Sequence, residues 1–125
     1  MNNPKIYRCS ICKNIVLKLA DHSEMLTCCN QPMVLLPCNS DGAGEKHIPI
    51  ITTKTKKTLT VQISSTIHPM TPEHHIEWIG VFSPNTWTIN WLTPQDKPIT
   101  TFTVSQADII YCYCNIHGLW KNISN

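Results

Sequence analysis

The segment "KTLTVQIS" sets Leu59, Val61 and Ile63 on one side of an extended chain and Thr58, Thr60 and Gln62 on the other. "TWTINWL" repeats the pattern, with Trp87, Ile89 and Trp91 against Thr86, Thr88 and Asn90. "TFTVS" sets Phe102 and Val104 against Thr101, Thr103 and Ser105, and "DIIYCYC" sets Ile110, Cys112 and Cys114 against Ile109, Tyr111 and Tyr113. A period of two is that of half-buried strands. Turn signals separate them: "SPN" at 83–85, "TPQDKP" at 93–98 and "SQAD" at 105–108. No segment carries a long helical stripe. From Glu45 onward the pattern predicts an antiparallel β-sandwich of about seven strands.

The first part of the chain has another texture. Residues 1–37 carry Cys9, Cys12, Cys28 and Cys29, spaced C-x2-C-x15-C-C, and "CNSDGAG" at 38–44 reads as a linker. The expected organisation is a small metal module at 1–37, a linker at 38–44 and a β-sandwich at 45–125.

Composition narrows the class. Of the 125 residues 42% are hydrophobic and 14% charged, so the chain folds behind a surface rich in Thr and Ser. A net charge of +2 gives no argument for nucleic acid, and Lys54, Lys56 and Lys57 read as a solvated strand face. "MNNPKIYRCS" lacks the apolar segment of a secretory signal, and no apolar run approaches the roughly 18 residues of a membrane span. Seven cysteines cannot all pair internally. In such a chain, clustered cysteines read as metal ligands kept reduced in a cytoplasm.

A module below roughly 40 residues needs a metal or disulfides to hold it. Cys9-x-x-Cys12 forms a tight knuckle around an ion. The adjacent Cys28 and Cys29 must turn sharply to aim both sulfurs at that ion, because successive strand side chains point oppositely. A tetrahedral set of four thiolates fits zinc or a single iron equally. His22, alone between the two cysteine pairs, reads as a surface histidine.

The second part carries His47, His68, His74, His75 and His117. On one strand His68 and His74 would lie about 20 Å apart, and on a helix they would point about 120° away from each other. Pro69 and Pro72 exclude a regular strand or helix interior. The segment therefore loops, which either brings both imidazoles to one ion or leaves them as ordinary loop histidines. Cys112 and Cys114 share a face but stand about 7 Å apart along the strand, too far to share an ion. A turn at Asn115–Gly118 lets His117 reach back towards a metal held by Cys114. Cys112 then reads as a small core hydrophobe, and Cys38 as a free thiol.

The tetracysteine spacing, "EKHIPI", "HPMTPEHHIEWI" and "CNIHGLW" together resemble desulfoferrodoxin, the two-iron form of superoxide reductase, over essentially the whole chain. The resemblance implies a mainly β protein: a desulforedoxin-like module followed by an immunoglobulin-like antiparallel β-sandwich. It implies two iron ions per chain. His47, His68, His74 and His117 would be equatorial ligands of one iron, with the Cys114 thiolate axial. Glu45 would occupy the sixth position in the oxidised state, and Lys46 would lie near the open face. Cys9, Cys12, Cys28 and Cys29 would hold the second iron, with zinc as the alternative there. The implied reaction is O2•− + e− + 2H+ → H2O2, with a rubredoxin-type electron donor and a homodimeric state. One departure from the family pattern is His75, where tyrosine often follows the ligand histidine; the spacing from His68 favours His74. Cys38 and Cys112 are not ligands in that pattern.

Three rivals have distinct consequences. A zinc-binding interaction module predicts a colourless protein. A rubredoxin-like electron carrier needs only the four N-terminal cysteines and leaves the histidines without a purpose. A dismutase would evolve dioxygen.

Overall fold

Leu59, Val61 and Ile63 are wholly buried while Thr60 and Gln62 are half-buried, as their alternation requires. They belong to a computed structural model that describes residues 4–23, 25–39 and 46–123. The chain divides into two units, Met1–Pro37 and Cys38–Asn125. All regular structure among the described residues is β.

The first unit contains β1 (Lys5–Arg8), β2 (Ile15–Lys18), β3 (Thr27–Cys28), β4 (Gln31–Pro32) and β5 (Val34–Leu35). A three-stranded sheet has the order β2–β1–β5, and β3 pairs with β4. Among its described residues only Ile6, Tyr7 and Cys9 are buried. Two apolar side chains contribute about 1.5–3 kcal/mol each, well short of the conformational entropy of ordering the unit.

The second unit contains β6 (Cys38–Asn39), β7 (Pro49–Lys54), β8 (Leu59–Ile63), β9 (Ile76–Ser83), β10 (Thr86–Trp91), β11 (Ile99–Phe102), β12 (Ile109–Cys114) and β13 (Gly118–Ile123). One sheet runs β10–β9–β12–β13–β6 and the other β11–β8–β7. Between them lies the core, with Leu59, Val61, Ile63 and Phe102 from the smaller sheet and Ile79, Val81, Ile110 and Cys112 from the larger. The result is a β-sandwich.

Three features differ from the sequence expectation. Cys38–Asn39, placed in a linker by composition, pair in parallel with β13 at Leu119 and Trp120. The sandwich is therefore antiparallel except at this edge. Trp91 is 72% exposed although it alternates in phase with Trp87 and Ile89, because β10 is an edge strand with little to cover its end. Both faces of β12 are buried, not one. Away from the core, Tyr111 stacks edge-on against Phe82 and Tyr113 lies parallel to Trp78, so aromatic rings form a second layer on the outer face.

A β-bulge sits where β9 meets the end of β12. Tyr113 opposes Trp78 but Cys114 opposes Ile76, leaving Glu77 unpaired across that ladder. The extra residue returns Ile76 to the core side, beside Cys114. The loop that precedes Ile76 thereby starts next to the end of β12.

Candidate metal centres

In the first unit the four sulfurs of Cys9, Cys12, Cys28 and Cys29 lie within 4.8 Å of one another. The first knuckle is closed by Cys9 N–H donating to the Asn14 carbonyl at 2.9 Å and Lys13 N–H donating to the Cys9 carbonyl at 3.0 Å. The second is closed by backbone inversion. Cys29 has φ 54° and Asn30 φ 60°, the left-handed region, which costs about 1–3 kcal/mol for a residue other than glycine. This inversion lets adjacent cysteines aim at one point. Cys12 N–H points at the Cys9 sulfur at 3.5 Å, and the Asn14 side-chain amide at the Cys28 sulfur at 3.7 Å. The backbone N–H groups of Cys12 and Ile11 pull the Cys9 thiol down to about 6. The neighbouring sulfurs of Cys12 and Cys9 push Cys29 up to about 12. Four thiolates in this space repel one another, and a bound cation removes that repulsion.

The second centre draws on three stretches of chain. His47 lies with Lys46 in the turn before β7; His68 and His74 belong to the loop between β8 and β9; Cys114 ends β12 and His117 precedes β13. Their four imidazoles close a ring. Successive centroids are 4.8 Å apart for His47–His68, 4.7 Å for His68–His74, 4.9 Å for His74–His117 and 4.7 Å for His117–His47. The diagonal His47–His74 measures 6.4 Å. Each neighbouring pair is steeply inclined, between 64° and 80°. Donor atoms of His47, His74, Cys114 and His117 all fall within 4.8 Å of one another, and the His68 ring completes the square.

The ring nitrogens differ in their partners. His68 Nδ1–H donates to the Pro69 carbonyl at 2.7 Å, so its Nε2 carries the lone pair. That Nε2 is buried without a hydrogen-bond partner, as is His74 Nε2. His47 Nε2 and His117 Nδ1 approach to 3.0 Å, and His117 Nδ1 lies 3.7 Å from the Cys114 sulfur. Buried polar atoms without partners are costly; unpartnered imidazole nitrogens grouped beside a thiol fit a metal ion. Burial holds His47 and His68 down at about 4, with the neighbouring histidines adding to the effect on His47. Burial also lowers His74. These imidazoles are therefore neutral at neutral pH, the form that binds metal. Burial pushes the Cys114 thiol up, against N–H groups of His117 and Ile116 that favour its thiolate. The His117 N–H lies 3.4 Å from that sulfur.

The surrounding residues hold these side chains in place. Trp120 stacks on the His47 ring at 4.7 Å and 14°, and its Nε1–H donates to the His117 carbonyl at 3.1 Å. Gly118 has φ +83°, which the turn from His117 into β13 needs and side chains disfavour. Cys112 is fully buried, and its thiol donates to the His47 carbonyl at 3.1 Å. Sequence reading missed this contact, since a thiol in a core strand carries no signal for it. Cys112→Ser keeps a donor at that place. Its expected cost is about 1 kcal/mol of stability with nearly unchanged turnover, checked by thermal unfolding and initial rates. A large loss of activity would show that the thiol acts on the centre itself.

His75 is not among the converging donors, and its Nδ1 lies 3.0 Å from the Thr71 carbonyl. His22 is exposed. Lys46 is exposed next to His47, and Glu45 lies outside the described residues.

Comparison with known proteins gives a consistent result. A family model described as desulfoferrodoxin matches residues 39–123, and one described as the desulfoferrodoxin N-terminal domain matches residues 1–36. A desulfoferrodoxin homologue of Methanothermobacter thermautotrophicus is 40% identical over 119 residues, covering 93% of this chain and 95% of its own. A superoxide reductase of Pyrococcus abyssi is 37% identical over 103 residues, covering 67% of this chain and 90% of its own. The crystal structure of the superoxide reductase from Treponema pallidum superposes with a TM-score of 0.82 at 24% identity, covering 96% of this chain and 98% of that one. That last likeness bears on the fold.

Proposed function

Because this chain belongs to the desulfoferrodoxin family, we propose that it reduces superoxide by one electron to hydrogen peroxide at the His47–His68–His74–His117–Cys114 centre. The observation that carries this reading is the closed square of imidazoles, with unpartnered buried nitrogens, beside a buried sulfur. Iron held there would supply the one-electron chemistry, with an outside donor restoring its reduced state. The second iron, or zinc, belongs to Cys9, Cys12, Cys28 and Cys29.

The chain's own residues determine charge and access. Four neutral imidazoles and one thiolate leave a ferrous centre with a net charge of +1, which attracts a small anion. Lys46 adds a second positive charge at the protein surface beside His47. It draws superoxide inward and orders the water from which protons reach the product. With iron bound, the Cys114 sulfur would donate electron density to it, and the ligand set would leave one position for the substrate. Glu45, one residue before Lys46, would take that position in the oxidised state.

A rubredoxin-type protein supplies electrons, and the His117 edge, which is exposed, supports their entry there. The four-cysteine centre serves as relay or as structural clasp. The protein works as a homodimer in a cytoplasm. Its seven cysteines are all free of disulfides, which supports a reducing compartment. No described helix is long and apolar enough to cross a membrane.

Products test the reading. Reduced protein with an electron donor should yield peroxide without dioxygen. Dioxygen in step with peroxide would establish dismutation instead. For Lys46→Ala the second-order rate should fall by up to about tenfold, the low end of what focused fields supply, and its dependence on ionic strength should weaken. Unchanged rates across a salt series would remove Lys46 from the encounter.

A further inference from the structure

The ladder between β9 and β12 ends at Ile76 opposite Cys114. Beyond it, the loop carrying His74 and the turn carrying Cys114 and His117 need another tie. Asn115 provides it with three hydrogen bonds. Its backbone N–H donates to the His75 carbonyl at 3.2 Å. Its side-chain Oδ1 accepts from the His75 N–H at 2.9 Å, and its Nδ2 donates to the Glu73 carbonyl at 2.9 Å. One amide thus grips the peptide on both sides of His74. On the loop's own side, Thr71 bonds the backbone of His74 through its N–H at 2.9 Å and its carbonyl at 3.1 Å.

We propose that Asn115 is a positioning residue for the second metal centre, fixing the His74 imidazole in register with the Cys114 sulfur. Asn115 follows Cys114 directly, so the clamp and the sulfur move as one. The chemistry is specific to a carboxamide. A carbonyl at Glu73 requires a donor, and an N–H at His75 requires an acceptor, from one planar group. Aspartate supplies only the acceptor, and alanine neither. The proposal rests on the metal centre described above, and it concerns how that centre is held.

The test uses the full-length protein freed of metal and titrated with Co(II) alone. In Asn115→Ala the His75 amide should exchange with solvent faster than in the parent. Co(II) affinity at the histidine–cysteine centre should fall by about 10- to 100-fold, as for other residues that orient ligands. The Cys114-to-Co(II) charge-transfer band should shift. Asn115→Asp should keep the His75 protection and lose affinity to an intermediate degree. Co(II) binding to the four-cysteine site should not change in either variant. Parent-like affinity and spectrum in folded Asn115→Ala would overturn the proposal. Failure of both variants to fold would also overturn it, because Asn115 would then maintain the sandwich and not the centre. If the parent itself shows no Co(II) band from Cys114, the metal-centre reading fails, which is a separate result.

Discussion

Cys114→Ser should lower superoxide reduction by more than about 100-fold, beyond the loss typical of residues that only orient ligands, while the protein stays folded. The side chain is fully buried at the end of β12, so the smaller serine meets no clash. Its effect is electronic. A serine hydroxyl remains protonated and neutral where the thiolate carried a negative charge, and oxygen donates far less electron density than sulfur. The two N–H groups that favour the thiolate are left facing a weaker acceptor. The expected signature is loss of the thiolate-to-iron colour of the histidine centre, with the absorption of the four-cysteine centre retained. Initial rates and visible spectra of the iron-loaded variant check both. Activity near that of the parent would exclude Cys114 as the axial ligand.

Removing the metal from the first unit should unfold residues 1–37 and leave the sandwich standing. Only Ile6, Tyr7 and Cys9 are buried there among the described residues, and Cys29 and Asn30 stand in left-handed conformations. Structural zinc in small peptides contributes about 10–16 kcal/mol of folding free energy, so loss of the ion removes most of what holds the unit. Cys28→Ser should act in the same direction, because three thiolates close the site poorly. Amide hydrogen exchange reads both units in one sample. Protection at Ile6 and Tyr7 should disappear after chelation, whereas protection along β12 should persist. Retained protection at Ile6 in metal-free protein would show that the small sheet folds on its own.

Much of the architecture follows from short-range pattern. The strict alternation of Leu59, Val61 and Ile63 is reproduced because β8 is central in its sheet and faces the core. The looping of "HPMTPEHH" follows from two prolines that exclude regular structure. Other features are set by partners distant in sequence. The bulge at Glu77 arises from the register between β9 and β12, which no local pattern encodes. Trp91 alternates correctly yet stays exposed, because alternation does not tell an edge strand from a central one. The left-handed Cys29 resolves how adjacent cysteines converge, a geometry for which glycine would have been the usual sign. The Asn115 clamp was hidden for a similar reason: an asparagine after a strand reads as turn chemistry, and its partners lie forty residues or more upstream.

The proposed function requires that the reduced histidine–cysteine centre pass one electron to superoxide. Pulse radiolysis of the reduced, iron-loaded protein tests it directly. A fast absorbance change at the histidine–cysteine centre should follow the superoxide pulse, second order overall, with one peroxide formed per superoxide consumed and no dioxygen evolved. Iron-loaded protein that shows no such change, with superoxide decaying at its spontaneous rate, would contradict the claim.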